Sequence, residues 1–292
     1  MTSTALILVL ASAGLHATWN FLYKSARDKQ AFSLLFGLSS LVLFSPAALL
    51  LLATNPVPLE GWLLVGLSGL VHTFYYVTLG RGYSTGHLSL VYPLARGTTP
   101  LLVAVWALAF LGERITPQGL AGILAVVAGV YTLHLKELSW RGLAYPFTSA
   151  LGGATSIALL AGLFASMYTT VDKVAVGFAH PFLVQYLATV VFCGIFGPYV
   201  LRVRGMETVR SEWNLNRNSV IVVSIILTLA YTLVLFAMTM SNVSYVAAAR
   251  EVGVVFGALL GTLFLREPYG RAKLGGSAAI AVGVMLIGLA RG

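Results

Sequence analysis

The sequence predicts an all-α polytopic membrane protein with ten transmembrane helices, arranged as two inverted five-helix repeats. The 292 residues are 58% hydrophobic and only 9% charged, with a mean hydropathy of +0.89, whereas soluble domains average about 25% charged residues. Apolar runs of about 17–25 residues, the length that crosses a bilayer, recur along the whole chain. The fourth and ninth of these runs also align with each other, which indicates an internal duplication.

Nine polar or turn-forming breaks separate the apolar runs. The first run has no basic segment before it and no small-residue cleavage motif, so it is interpreted as a retained helix rather than a signal peptide. The longest break is 202–218 and the shortest is 239–242. The resulting spans, in order, are 4–23, 31–53, 61–80, 87–111, 118–135, 147–171, 182–201, 219–238, 243–265 and 274–290.

The basic residues predict an orientation. With loops assigned alternately to two sides, thirteen of the eighteen Lys and Arg residues fall on one side and three on the other, while Arg96 and Arg250 lie inside spans. The side that is rich in basic residues faces the cytoplasm, so both termini are expected outside. Topology then accounts for the net charge of +9, and no nucleic-acid partner is expected.

A shift of 154 residues reveals the duplication, because it aligns Arg96 with Arg250 and Glu113 with Glu267. Small residues, which favour close helix contacts, recur at every fourth position of the helices that follow. They are Ala121, Ala125 and Gly129 in the first copy, and Gly275, Ala279 and Gly283 in the second. The copies are predicted to occupy 1–140 and 141–292. Since each has five helices, the second is inverted, an arrangement typical of secondary transporters with a site between the halves.

Several stretches resemble a known family. They are LHATWN at 15–20, LSLVYPLARG at 88–97 and the helix ends FLGER and FLREP. Together with the two five-helix repeats, they are similar to the drug/metabolite transporter superfamily, EamA type, and to its bacterial members. The resemblance implies a transporter in the bacterial inner (plasma) membrane, but its members carry diverse substrates. One departure is that Ala247 and Val254 stand where the first repeat has Pro93 and Pro100.

The two arginines are the strongest candidates for substrate binding. Arg96 and Arg250 lie roughly 11–14 Å into their spans, where a charge costs about 2.5–3.5 kcal/mol. Repetition at equivalent positions of an inverted pair places both near a central cavity, and a guanidinium binds carboxylate or phosphate groups through two N–H donors. The alternative is a structural arginine that reaches the interface or pairs with Glu251. A pair between Arg96 and Glu251 would leave Arg250 alone for substrate.

Three carboxylates are candidates for gating or coupling: Glu113, Glu267 and Glu251. Glu113 and Glu267 lie 17 residues beyond the arginines, about 25 Å along a helix. They are therefore expected near an interface, and helix capping or a loop salt bridge is the favoured role for them. Glu251 points about 100° away from Arg250 on a helix and is better placed to meet another helix.

Polar and aromatic side chains on the first and third helices are predicted to line the cavity. His16 and Asn20 share a helix face because they are four residues apart. The candidate lining residues are His16, Trp19, Asn20, His72 and Tyr76. Weaker candidates are Tyr92, Tyr168, Gln185, Tyr231 and Tyr245. The alternative for each histidine is a hydrogen-bonded packing residue.

The sequence lacks the motifs of common enzymes, including phosphate-binding loops, zinc-protease pairs and nucleophile elbows. It therefore predicts a gradient-driven transporter rather than an enzyme, with no cofactor and no metal site. The expected substrate is a small organic metabolite with an anionic group, such as an amino acid or an organic phosph(on)ate, moved by alternating access as the two repeats rock. The transport is expected to be coupled to protons or ions. In the lipid bilayer, the protein is expected to be a monomer or a weak dimer. Two alternatives remain open: an exporter of cationic or lipid-like compounds with structural arginines, and a membrane-embedded transferase.

Overall fold

The computed structural model describes residues 1–84, 88–133, 153–265 and 270–290. These residues form eleven helices. In chain order, the helices are α1 (Ser3–Tyr23), α2 (Lys29–Thr54), α3 (Leu59–Ser84), α4 (Leu88–Phe110), α5 (Pro117–Leu133), α6 (Gly153–Ala175), α7 (Pro181–Arg204), α8 (Met206–Met240), α9 (Val243–Ala249), α10 (Val252–Leu265) and α11 (Arg271–Leu289).

The helices confirm the predicted fold class. Eight segments are long and apolar enough to cross a membrane, and one of these, Val243–Phe264, comprises α9 and most of α10. The segments Leu94–Phe110 and Pro117–Leu133 are shorter apolar helices. Each of the ten predicted spans therefore has its counterpart, with α9 and α10 together forming the ninth.

Three predicted boundaries differ from the structure. Asp172 and Lys173, assigned to a loop, lie inside α6, which continues to Ala175. Most of the predicted 202–218 break is helical, because α8 starts directly after Gly205 (φ 82°) and only kinks at Asn216 (φ −123°, ψ 16°). The ninth span is interrupted in its interior. The predicted boundaries follow the charged residues, although a helix can extend beyond the apolar core or bury a charge.

Helices of the two halves pack mainly against each other. Helix α1 packs against α8 and α10. In the equivalent arrangement of the other half, α6 packs against α3 and α4. Helices α5 and α11, which are equivalent by position, pack together along their length, as do α2 and α7. This pairing is what a two-fold relation between the halves produces. The fold is therefore an interlocked pair of repeats, and each bundle contains helices of both.

The contact between α5 and α11 depends on glycines. A Cβ on Gly129 would lie 2.7 Å from the Gly276 carbonyl oxygen, and a Cβ on Gly283 would lie 2.6 Å from that of Gly122. The predicted stripe is thus correct at Gly129 and Gly283 and wrong at Ala121 and Gly275, which are exposed, while Ala125 and Ala279 are half-buried. The reason is geometric. Steps of four residues drift around a helix, whereas the spacing i, i+4, i+7 stays on one face.

Candidate functional site

A cavity lies between the interlocked bundles. Its polar lining residues include all seven predicted substrate-binding residues: His16, Trp19, Asn20, His72, Tyr76, Arg96 and Arg250. Three of the weaker candidates, Tyr168, Gln185 and Tyr231, also line it. The structure therefore brings the predicted set together at one place.

Arg250 occupies the break between α9 and α10. The backbone there tightens into three-residue hydrogen bonds, from Gly253 N to Arg250 O at 3.1 Å and from Val254 N to Glu251 O at 2.9 Å. Arg250 is only 3% exposed, and its side chain forms no hydrogen bond or ion pair with the described residues. Transporters commonly build substrate sites at such discontinuous helices. The break thus positions a buried guanidinium at the cavity wall.

Arg96 is paired differently. Its Nε lies 2.9 Å from Oε2 of Glu251, which is fully buried, while the Arg96 side chain keeps 22% exposure. The 154-residue shift explains why Arg250 has no equivalent pair. The two-fold mate of Glu251 is Gly97, which has no side chain. The repeat therefore produces one arginine with a protein carboxylate and one without.

His16 presents a second donor beside Arg250. The indole N–H of Trp19 donates to His16 Nδ1 at 2.7 Å. Because an indole nitrogen is only a donor, Nδ1 must accept, and the proton of the neutral ring is on Nε2. That Nε2 is buried and has no hydrogen-bond partner among the described residues. The Trp19 contact therefore fixes the tautomer that offers an N–H to the cavity.

Aromatic rings form much of the remaining wall. His72 stacks on Tyr168 with ring centroids 3.8 Å apart, and Tyr76 contacts the ring of Phe192 at 5.0 Å. Asn20 is held by its own helix, since its Nδ2 donates to the His16 carbonyl at 2.7 Å. Apolar walls with a few oriented polar groups are the usual composition of a small-molecule site.

Asp172 is the residue that sequence reasoning missed. It is 1% exposed and receives hydrogen bonds from Ser68 Oγ at 2.5 Å and from Tyr231 Oη at 2.6 Å. Tyr231 and His72 separate it from the cavity. The repeat contains a signal for the burial of Asp172. The shift of 149 residues that aligns Lys24 with Lys173 also aligns Asp172 with Tyr23, which is buried.

The outermost candidates lie away from the cavity. Glu113 caps α9, accepting from Val243 N at 2.6 Å and from Ser244 Oγ at 2.7 Å. Tyr245 does not line the cavity but hydrogen-bonds Thr116 N at 3.0 Å. The side chains of Glu267 and Tyr92 lie outside the described residues. The described part of the chain also holds no group of three His, Cys, Asp or Glu side chains placed to bind a metal ion.

The fold and the cavity define a multi-pass membrane protein with an internal site between inverted halves. The chain belongs to the EamA-like transporter family, whose model matches residues 3–135 and 153–289. A solved structure titled only "Crystal structure of protein" superposes with a TM-score of 0.73, covering 98% of this chain and 96% of that chain. At 16% identity, it supports the fold alone. No curated protein matches the sequence.

Proposed function

We propose that this membrane transporter carries a small organic metabolite with an anionic group, such as an amino acid or an organic phosph(on)ate. The observation that carries the proposal is Arg250, a buried guanidinium at the cavity wall that forms no ion pair with any carboxylate among the described residues. Burying a charge is costly unless a counter-charge meets it. An anionic substrate supplies that counter-charge, and the Nε2–H of His16 adds a neutral donor beside it.

The two arginines have different roles in this proposal. Glu251 already neutralises Arg96, so Arg96 contributes mainly to the shape of the cavity wall. Arg250 binds the anionic group through its two-donor edge. The aromatic wall accommodates the apolar part of the substrate. The sequence-based expectation of two equivalent anion-binding arginines is thereby narrowed to one.

Alternating access follows from a two-fold arrangement of bundles. The packing supports one moving unit of α3, α4, α6 and α7, and a second of α1, α2, α8 and α10, because contacts within each unit cross the two halves. The short helix α9 packs mainly against α4 and α5. The moving units in this proposal are therefore mixed bundles rather than the two repeats themselves. Residues of both units line the cavity, among them Tyr168 of the first and His16 of the second.

A ligand screen tests the proposal. Purified protein is heated with amino acids, phosphonates, phosphate esters and cationic amphiphiles, because a bound ligand stabilises the folded state by about 2.7 kcal/mol at 100 times its Kd. Arg250→Lys keeps the charge and loses the two-donor geometry. We expect it to weaken binding of the stabilising anions roughly 10- to 100-fold, from about 1.5–3 kcal/mol per charged hydrogen bond.

Arg114→Lys is the matched control, since Arg114 is exposed and distant from the cavity lining. Arg96→Lys is expected to reduce affinity less than Arg250→Lys does. Equal anion affinity in the wild type and Arg250→Lys would contradict the proposal. Stabilisation by cationic amphiphiles alone would favour the exporter alternative, in which both arginines are structural.

A further inference from the structure

The Asp172 cluster has the features of a proton-binding site. Asp172 lies in α6, three residues before its last residue Ala175, yet it is 1% exposed. Each carboxylate oxygen receives one hydroxyl hydrogen bond, from Ser68 Oγ and from Tyr231 Oη. Buried ionisable groups inside membrane bundles commonly mark ion pathways and proton relays.

No described residue forms an ion pair with this carboxylate. The ion pairs in the described part of the chain join Arg96 to Glu251 and Arg204 to Asp28. The ammonium of the neighbouring Lys173 donates instead to the carbonyl oxygens of Met238 and Ser241. Two neutral hydroxyl donors stabilise a carboxylate but leave its charge in place, and an unneutralised buried charge is expensive. Uptake of a proton removes that cost.

His72 connects the cluster to the cavity. Its Nδ1 lies 3.0 Å from the Ser68 carbonyl oxygen and 3.3 Å from Ser68 Oγ. Because a carbonyl only accepts, Nδ1 carries a hydrogen and donates, which leaves the Nε2 lone pair of the neutral ring free to take a proton. The Ser68 hydroxyl therefore bridges the imidazole of His72 and the carboxylate of Asp172. His72 itself lines the cavity.

The charged surroundings of Asp172 come from several helices. The titratable and charged groups that face Asp172 are His72 of α3, Tyr168 of α6, Tyr231 of α8 and Arg250 at the break between α9 and α10. Farther out, Arg96 of α4 and Glu251 interact electrostatically with Tyr168, Tyr75 of α3 contacts the Tyr168 ring, and Lys173 follows Asp172 in α6. Neither Lys173 nor Arg250 has an ion-pair partner among the described residues, but the Lys173 ammonium donates to two backbone carbonyls, whereas the Arg250 side chain lines the cavity. A negative charge on Asp172 opposes binding of an anion at Arg250, and protonation of Asp172 removes that opposition.

We propose that Asp172 is the site of a coupling proton, which the carboxylate takes up as a carboxylic acid and releases by way of Ser68 and His72. The sign of the interaction predicts that proton and anionic substrate bind together, since each lowers the cost of the other. The direction of coupling rests on the proposed anion site at Arg250. The proton site itself does not.

Infrared difference spectroscopy on reconstituted protein tests the proton site without any substrate. Acidification from about pH 9 to about pH 5, the range in which a coupling group must exchange its proton, is expected to produce the C=O band of a buried carboxylic acid. Asp172→Asn removes this band. Glu60→Gln, which changes an exposed carboxyl, retains it. A wild-type spectrum without the band, or its persistence in Asp172→Asn, would overturn the proposal.

Two further variants separate the proton site from the substrate site. Tyr231→Phe keeps the carboxyl group of Asp172 and removes one of its hydrogen-bond donors. The band must therefore remain, but its position and the pH at which it appears must shift. This variant keeps the test decisive if Asp172→Asn does not fold. Arg250→Gln is expected to change the apparent proton affinity roughly tenfold. No change in proton affinity would refute the coupling to Arg250.

If Arg250→Lys leaves ligand affinity intact while the infrared band behaves as expected, the proposed anion site is wrong and the proposed proton site stands. Stabilisation by Na⁺ in place of any pH response would assign the cluster to a metal cation.

Discussion

The contact between α5 and α11 permits a quantitative prediction for Gly283→Ala. The added Cβ would lie 2.6 Å from the carbonyl oxygen of Gly122 and 2.7 Å from a methyl carbon of Val126. Relief requires the helices to separate by about 0.7 Å, which forfeits a quarter to a half of the dispersion energy of the affected contacts. Overpacking of this kind costs about 1–3 kcal/mol. Alanine recovers about 0.5–1 kcal/mol of helix propensity, so we expect a net loss of roughly 1–2 kcal/mol.

Gly275→Ala is the matched control, because no heavy atom lies within 4 Å of its added Cβ. Only the propensity gain applies there, so this variant is expected to be as stable as the wild type or slightly more stable. Reversible unfolding by a denaturing detergent, followed by tryptophan fluorescence, measures both changes. Gly122→Ala should behave like Gly283→Ala, since its Cβ would lie 2.7 Å from the Gly283 carbonyl oxygen. Equal stability of all three variants would refute the packing argument.

Two other predictions concern charge. Glu251→Gln leaves the Arg96 guanidinium without its buried counter-charge. We expect the free energy of unfolding to fall by roughly 2–3 kcal/mol, a value discounted for the partial exposure of Arg96. Unchanged unfolding of this variant would show that the ion pair is not structural. The excess of basic residues on one side predicts that both termini lie outside, so a C-terminal reporter that is active only outside the cytoplasm should give a signal. A signal from a cytoplasmic reporter instead would contradict the charge rule.

The sequence predicted the number of spans and most of the cavity wall because both depend on local patterns. Apolar length determines a span, and a charge such as Arg96 inside a span is conspicuous. The repeat then placed Arg96 and Arg250 near one axis. The sequence predicts the pairing of Arg96 with Glu251 only as one of two alternatives, since the pairing depends on the relative rotation of two helices, which no local pattern determines.

Features that depend on tertiary contacts were predicted less well. Asp172 was assigned to a loop because a charge next to Lys173 resembles the end of a span, and only the packing of α3 and α8 around it buries it. The break at Arg250 contains no proline, and Gly253 in its tightened backbone is only one of the 30 glycines in the chain. The predicted contact at Ala121 is one residue away from the actual contact at Gly122. Because these two small residues are adjacent, the sequence pattern fits either helix face.

The interlocked packing has a consequence for biosynthesis. Helix α1 enters the membrane long before α8 is synthesised, yet the Ser12 hydroxyl of α1 donates to the Ala230 carbonyl of α8 at 2.7 Å, and Ser40 of α2 hydrogen-bonds Thr228 at 2.7 Å. Until α8 arrives, these hydroxyls face lipid or a temporary partner. Only when the second half has been inserted does either bundle become complete. A nascent chain that stops after α5 therefore lacks the helices against which α1 and α2 pack, and it is a natural substrate for membrane quality control.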